Sequence, residues 1–207
     1  ILQKIADTFE AHMSELIGLC IKEAGKTVAD AVAEVREAVD FCRYYPIQAQ
    51  AQQAMGGLSA RGVILSISPW NFPLAIFTGQ VTAALAAGNT VVAKPAEQTS
   101  LIAKRAVELM YLAGLPEDAM QLLLAPGRMV GTKAVPDHRV RGVMFTGSTD
   151  TGQVIAQTLA ARDDGPIPLV AETGGQNAMI VDSTALPEQV VDDVLASGFQ
   201  SAGQRCS

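Results

Sequence analysis

The sequence predicts an α/β fold: a doubly wound parallel sheet preceded by two helices. Three observations carry that expectation. Apolar residues recur at helical spacing up to about Tyr45, short β-prone runs alternate with helices from Arg61 onward, and the connections between those elements are short. In the first helix Ile5, Phe9, Met13, Leu16 and Cys20 fall on one face. In the second, Val28, Val32, Val35, Val39 and Cys42 do so, and Gly25-Lys26-Thr27 separates the two. Residues 1–46 are therefore read as helices that pack on the domain that follows. Residues 47–60, with their Gln-Ala repeats and Gly56-Gly57, are read as a linker or helix end. The sheet domain spans 61–201. Its strands are expected at Val63–Ile67, Thr90–Ala93, Gln121–Leu124, Val143–Thr146 and Leu169–Ala171, with helices at about 74–87, 100–112, 128–135 and 149–162. Gly88 and Gly114 stand where left-handed helix C-caps belong. Strands joined through helices in this way must run parallel. Another strand is expected over Ala178–Val181 and another helix over Pro187–Ser201, with Asp182-Ser183 as candidate caps.

Composition narrows the function classes. The chain has 207 residues, about half of them apolar, which suits one large domain or one domain with an appendage. A net charge of −6, with 15 basic residues spread along the chain, argues against nucleic-acid binding by this segment. The apolar stretch from Leu74 to Ala93 is interrupted by Gln80, Asn89 and two glycines, so it reads as helix, turn and strand and not as a membrane span. Three widely spaced cysteines (Cys20, Cys42 and Cys206) suit a reducing cytoplasm better than a disulfide framework. Cys20 and Cys42 sit on apolar helix faces, as core thiols do. His12 and His138 have no acidic or thiol partner at a recognisable spacing and are read as surface residues; no metal site is expected. The opening Ile1-Leu2-Gln3-Lys4 falls mid-helix and carries no signal peptide, so a fragment is expected.

The chemistry-bearing residues cluster after the strands. The first strand is followed by Ser68-Pro69-Trp70-Asn71-Phe72-Pro73 and not by Gly-x-Gly-x-x-Gly. Its prolines stiffen the turn, and Asn71 offers an amide donor, although a Pro-rich turn with an incidental Asn reads equally well. Lys94 and Glu97 follow the second strand, where ligands bind in such sheets or where a solvated strand end would simply lie. Ser148, after Gly147, looks like a helix N-cap; a helix start preceded by glycine also suits an anion. Glu172 follows Leu169-Val170-Ala171 and precedes two glycines, which permit close approach of a ligand. Cys206 alone would be an ordinary thiol.

In chain order, Pro69-Trp70-Asn71-Phe72-Pro73, Lys94-Pro95-Ala96-Glu97, Phe145-Thr146-Gly147-Ser148, Glu172-Thr173-Gly174-Gly175 and Gly203-Gln204-Arg205-Cys206-Ser207 resemble the aldehyde dehydrogenase superfamily over essentially the whole chain. The resemblance implies a Rossmann-like NAD-binding domain, with residues 202–207 starting a truncated catalytic domain. It implies Cys206 as nucleophile and Glu172 as general base. The Asn71 amide and the Cys206 N–H would form the oxyanion hole. It places Ser68, Trp70, Lys94, Glu97, Gly127, Gly131, Gly147 and Ser148 around NAD, and Phe72 and Ser207 against substrate. The Glu97 carboxylate would bind ribose hydroxyls and repel a 2′-phosphate, favouring NAD over NADP. The Gly127–Gly131 loop and the 47–60 segment look short for the family.

Thr173 and Gln176, where the commoner form has Leu and Lys, make the chain similar to the Δ1-pyrroline-5-carboxylate dehydrogenase branch, and most of all to bacterial bifunctional proline utilisation A proteins. The implied reaction is NAD-dependent oxidation of L-glutamate γ-semialdehyde, a small-molecule aldehyde, to glutamate in proline catabolism. FAD would belong to a separate proline dehydrogenase domain. The implied parent is a cytoplasmic homo-oligomer, peripheral at the inner membrane in bifunctional proteins. The alternatives are a non-catalytic NAD-binding module, a dehydrogenase for another aldehyde, or a cysteine hydrolase.

Overall fold

The structure, a computed structural model, describes residues 1–205 apart from the side chain of Ala202. Three helices come first: α1 (Leu2–Ala11), α2 (Met13–Ala24) and α3 (Val28–Ala54). A parallel α/β region follows: β1 (Val63–Ile67), α4 (Ala75–Ala86), β2 (Thr90–Lys94), α5 (Ser100–Leu112), β3 (Met120–Leu122), α6 (Gly127–Lys133), β4 (Val140–Thr146), α7 (Thr149–Ala160), β5 (Leu169–Glu172) and α8 (Pro187–Phe199). The strand order is β3-β2-β1-β4-β5, and every pairing is parallel. The chain builds the sheet outward from β1 in one direction and then returns to add β4 on its other side. That reversal creates a crevice at the carboxyl ends of β1 and β4.

Helices cover both faces. On one side α1, α2, α3, α4 and α5 enclose Ile5, Phe9, Leu16, Val35, Phe77 and Leu109, all essentially buried. On the other, α6 and α7 cover Leu65, Val143 and Phe145 with Val130, Ile155 and Leu159. Gly88 (φ 81°) and Gly114 (φ 97°) adopt the left-handed caps expected of them.

Several expectations are corrected. The first apolar stripe belongs to two helices, not one. The backbone leaves helical geometry at His12 (φ −108°, ψ 19°), and the half-buried ring lies 2.9 Å from the Thr8 carbonyl, so His12 is a helix junction and not a surface residue. Helix α3 continues through Pro46 to Ala54, so the non-helical connection begins only at Met55. Gln and Ala are strong helix formers, and the helix stops where Gly56 and Gly57 take φ of 78° and 77°. The buried face of α3 is Ala31, Glu34, Val35, Ala38, Val39 and Cys42, whereas Val28 is 65% exposed. Residues 178–181 form no strand, and Ile180 is almost fully exposed. Asp182 does not cap a helix: it accepts the Thr184 N–H in a local turn, and α8 begins beyond it at Pro187. Helix α8 buries none of its residues, leaving Val191, Val194, Leu195 and Phe199 exposed. Among the described residues no helix is long and apolar enough to cross a membrane.

Candidate active site

The parallel register brings Ser68, Lys94, Thr146 and Glu172 to one edge of the sheet, because each ends or directly follows a strand. Below that edge lies a cavity of about 780 Å³ between α6 and α7. Its walls are apolar, with Val130 and Val135 on one side and Val154 and Ile155 on the other; Ser68, Lys94, Glu97, Gly127, Gly131 and Thr146 line its polar end. The slot thus combines apolar walls with a few hydrogen-bonding groups.

Its polar groups are held individually. Lys94 is buried, and its ammonium donates to the Pro95 carbonyl at 2.9 Å. Desolvation pulls the Lys94 pKa below the usual lysine range, while Glu97 acts in the opposite direction. Glu97 is exposed, yet its Oε1 accepts the Gly127 N–H at 2.7 Å, at the start of α6. Ser68 donates its N–H to the Lys94 carbonyl, and its buried hydroxyl has no partner. Ser148 caps α7 by accepting the Thr151 N–H at 3.3 Å. At Gly147 an added Cβ would stand 2.7 Å from the Phe145 ring, so glycine is required where the chain passes from β4 into α7. Trp70, Gly147 and Ser148 do not line the slot itself.

The turn after β1 faces a different neighbour. The Asn71 amide nitrogen donates to the Gln204 carbonyl at 2.8 Å. The last described residues are thus bonded to the side chain expected to stabilise an oxyanion, two positions before Cys206. Phe72 is half-buried and lines a smaller cavity of about 220 Å³ with Lys26, Glu34, Glu37, Ser201 and Arg205. Loss of solvent, and then the Glu34 charge, raise the Glu37 carboxyl above its ordinary range. Glu172 ends β5 exposed: its carbonyl accepts the Gly147 N–H, and its carboxylate has no hydrogen-bond partner among the described residues. Cys206 and Ser207 lie outside the described residues, so their expected roles have no geometry here.

Sequence comparison matches the aldehyde dehydrogenase family over residues 1–207. The chain belongs to the aldehyde dehydrogenase family. It is 58% identical over 210 residues to the Bifunctional protein PutA of Salmonella typhimurium, covering all of this chain and 16% of that protein. It is 37% identical over 222 residues to the 1-pyrroline-5-carboxylate dehydrogenase of Bacillus cereus, covering all of this chain and 43% of that protein. A crystal structure of Proline Utilization A from Bradyrhizobium japonicum superposes with a TM-score of 0.95 at 51% identity, over all of this chain and 22% of that one. The chain therefore spans about one sixth of the bifunctional relatives it matches.

This aldehyde dehydrogenase domain holds two arrangements that sequence reasoning did not assign. Gln80, on α4, accepts from Ser66 Oγ at 2.6 Å and lies 3.0 Å from Thr146 Oγ1, bridging β1 and β4 at the crevice. The lone amide among the mostly apolar and small residues of α4 was its signal. Lys26 and Glu34 form a buried ion pair at 2.7 Å. The signal for Glu34 was its place between Ala31 and Val35 on the buried face of α3.

Cys20 and Cys42 are buried free thiols. Desolvation pushes the Cys42 thiol up to about 12 and raises that of Cys20 as well, with Glu34 adding to the effect at Cys20. A raised pKa keeps the thiol protonated, and only the thiolate is nucleophilic. Native protein treated with iodoacetamide at pH 8 should therefore carry no label on either residue, whereas unfolded protein should carry it on both. Peptide mapping by mass spectrometry checks this, and native labelling of Cys42 would contradict its placement.

Proposed function

We propose that the whole protein carrying this chain oxidises L-glutamate γ-semialdehyde, the open form of Δ1-pyrroline-5-carboxylate, to L-glutamate with NAD. The observation that carries this reading is the layout at the carboxyl edge of the sheet. Ser68, at the start of the turn after β1, lines a slot with apolar walls and a few polar groups, and Asn71, three residues on in the same turn, is bonded two residues before Cys206. The names of the similar PutA and 1-pyrroline-5-carboxylate dehydrogenase proteins support the choice of substrate.

The slot fits NAD on its own chemistry. The buried Ser68 hydroxyl lacks a partner and lines the cavity, as a donor awaiting a ligand would. Lys94 and Glu97 would meet the adenosine ribose, Glu97 through Oε2 or after releasing Gly127, while Val130, Val135, Val154 and Ile155 would flank the adenine. The start of α7, opened by Gly147 and capped by Ser148, would face the pyrophosphate. When bound, NAD takes up a hydride from the substrate carbon.

The remaining steps fall to side chains. The Cys206 thiolate forms a C–S bond to the aldehyde carbon, and the carbonyl oxygen becomes an oxyanion. Asn71 Nδ2, released from the Gln204 carbonyl, and the Cys206 N–H donate to that oxygen. Once that carbon has given up its hydride, the oxyanion collapses to a thioester, which water attacks while the Glu172 carboxylate takes a proton from the water. The C–S bond breaks, the thiolate is regenerated and glutamate leaves. Phe72 would pack on the aliphatic part of the substrate, and Ser207 would help hold its carboxylate.

The test is NADH formation by the whole protein with glutamate semialdehyde and with simple aliphatic aldehydes. Turnover selective for the semialdehyde is expected; equal kcat/KM for aldehydes lacking the amino acid head would overturn the substrate assignment. Glu97→Gln should narrow the preference for NAD over NADP by about 1–3 kcal/mol, as expected for one charged contact. An unchanged ratio of kcat/KM for the two cofactors would remove Glu97 as the ribose reader.

A further inference from the structure

The buried Lys26 ammonium is the meeting point of three segments that are remote in sequence. Its Nζ lies 2.7 Å from Glu34 Oε2 on α3, 4.0 Å from the centroid of the Phe72 ring in the turn after β1, and 3.1 Å from Ser201 Oγ, to which it donates. The other oxygen of Glu34 accepts the Leu74 and Ala75 N–H groups at 2.8 and 3.2 Å. No side chain of α4 or its own N-cap closes that helix start, so Glu34 caps it from α3. The pair therefore holds the chain at two points just after Asn71: the adjacent Phe72 ring through the cation–π contact and the start of α4 through the carboxylate.

Ser201 gives the second line of evidence. It is the one non-glycine residue with positive φ (54°) among the described residues, a conformation that persists only where neighbouring contacts enforce it. Its hydroxyl is held by Lys26, and three residues later the Gln204 carbonyl is held by Asn71. Two contacts thus join the Asn71 turn to the segment leading into Cys206, and one of them is made by a cation that lines no part of the NAD slot.

We infer that Lys26, clamped by Glu34, is a positioning residue for the oxyanion hole: it sets the distance between the Asn71 amide and the backbone that precedes Cys206 by holding Phe72 and the strained Ser201 on one charge. The inference rests on the proposed dehydrogenase chemistry, in which that distance decides how both donors meet the oxyanion. A misplacement of about 1 Å can cost on the order of 100-fold in rate.

The experiment uses the whole protein. Lys26→Met leaves the Glu34 charge buried and unpaired, which strains the fold itself, so the deciding variant is Ser201→Ala, which removes one hydroxyl and keeps the ion pair. Ser201→Ala should lower kcat by about 5–20-fold, a partial loss of the positioning effect, with the NAD dissociation constant and the melting temperature close to wild type. The same substitution in an Asn71→Ala background should cost less than about twofold, because coupled groups are not additive. Ser201→Ala with unchanged kcat, or with the same loss in both backgrounds, would overturn the inference while leaving the dehydrogenase reading intact if Asn71→Ala is itself impaired. Full activity in Asn71→Ala would overturn the oxyanion-hole reading and this inference together.

Discussion

Replacing Cys206 by alanine in the whole protein should abolish aldehyde oxidation, with loss on the order of 10⁴-fold or more, while the NAD dissociation constant stays within about twofold of wild type. The asymmetry follows from where the groups lie. The residues expected to hold NAD come from the ends of β1, β2 and β4 and from α6, and they are tied to one another by Ser68–Lys94 and Glu97–Gly127 contacts that do not involve the 200–205 segment. Removing the sulfur takes away the bond-forming atom and none of those contacts. Stopped assays of NADH formation and calorimetric titration with NAD measure the two quantities separately. Substantial turnover in the purified variant would sink the assignment of the nucleophile. A parallel loss of NAD binding would mean that the thiol segment and the cofactor slot are one structural unit.

Much of the sheet was legible because its signals are local. Each strand is a short β-prone run closed by a turn, and Gly88 and Gly114 mark helix ends by a conformation that favours glycine. The helices before the sheet were legible only in outline. Apolar spacing from Ile5 to Cys20 runs straight through the break at His12, because the two helices present their stripes to the same core and no glycine or proline marks the junction. The opposite error arose over residues 47–54: their Gln-Ala repeats and the glycines beyond read as a linker, yet α3 runs through Pro46 to Ala54 on the helix propensity of Gln and Ala, with this end mostly exposed. Residues 178–181 have strand composition but no neighbouring strand to pair with among the described residues, and β propensity without a partner decides little.

The site divides in the same way. Lys94, Glu97 and Glu172 drew attention because strand ends are where such sheets bind ligands, and the parallel register brings the ends of those strands to one edge. What the sequence could not reveal is which groups already satisfy one another. Glu97 looked like a solvent-exposed ribose reader, but it also fastens the start of α6. Asn71 looked like a lone donor, but it is engaged by Gln204. The Lys26–Glu34 pair joins residues eight apart to contacts at 72, 74 and 201, and no local pattern encodes an arrangement of that range.

Glu172→Gln in the whole protein should separate the two halves of the reaction. The substitution keeps the shape of the side chain at the end of β5 and leaves the ladder contact from Gly147 to the residue 172 carbonyl untouched, because that bond uses backbone alone. It removes the carboxylate proposed to accept a proton from water. Acylation of Cys206 and the accompanying NADH formation should therefore proceed once per site, and hydrolysis of the thioester should then stall. The expected record is a burst of about one NADH per active site followed by a steady rate slower by roughly 100-fold or more, the usual scale for loss of a general base. Rapid-mixing absorbance measurements resolve the two phases, and acid quenching with mass spectrometry should find the acyl group on the peptide containing Cys206. If the burst disappears together with the steady rate, the carboxylate acts before hydride transfer, and activation of the thiol, not of water, becomes the role of Glu172. If neither phase changes, the exposed carboxylate at the end of β5 is not the base at all.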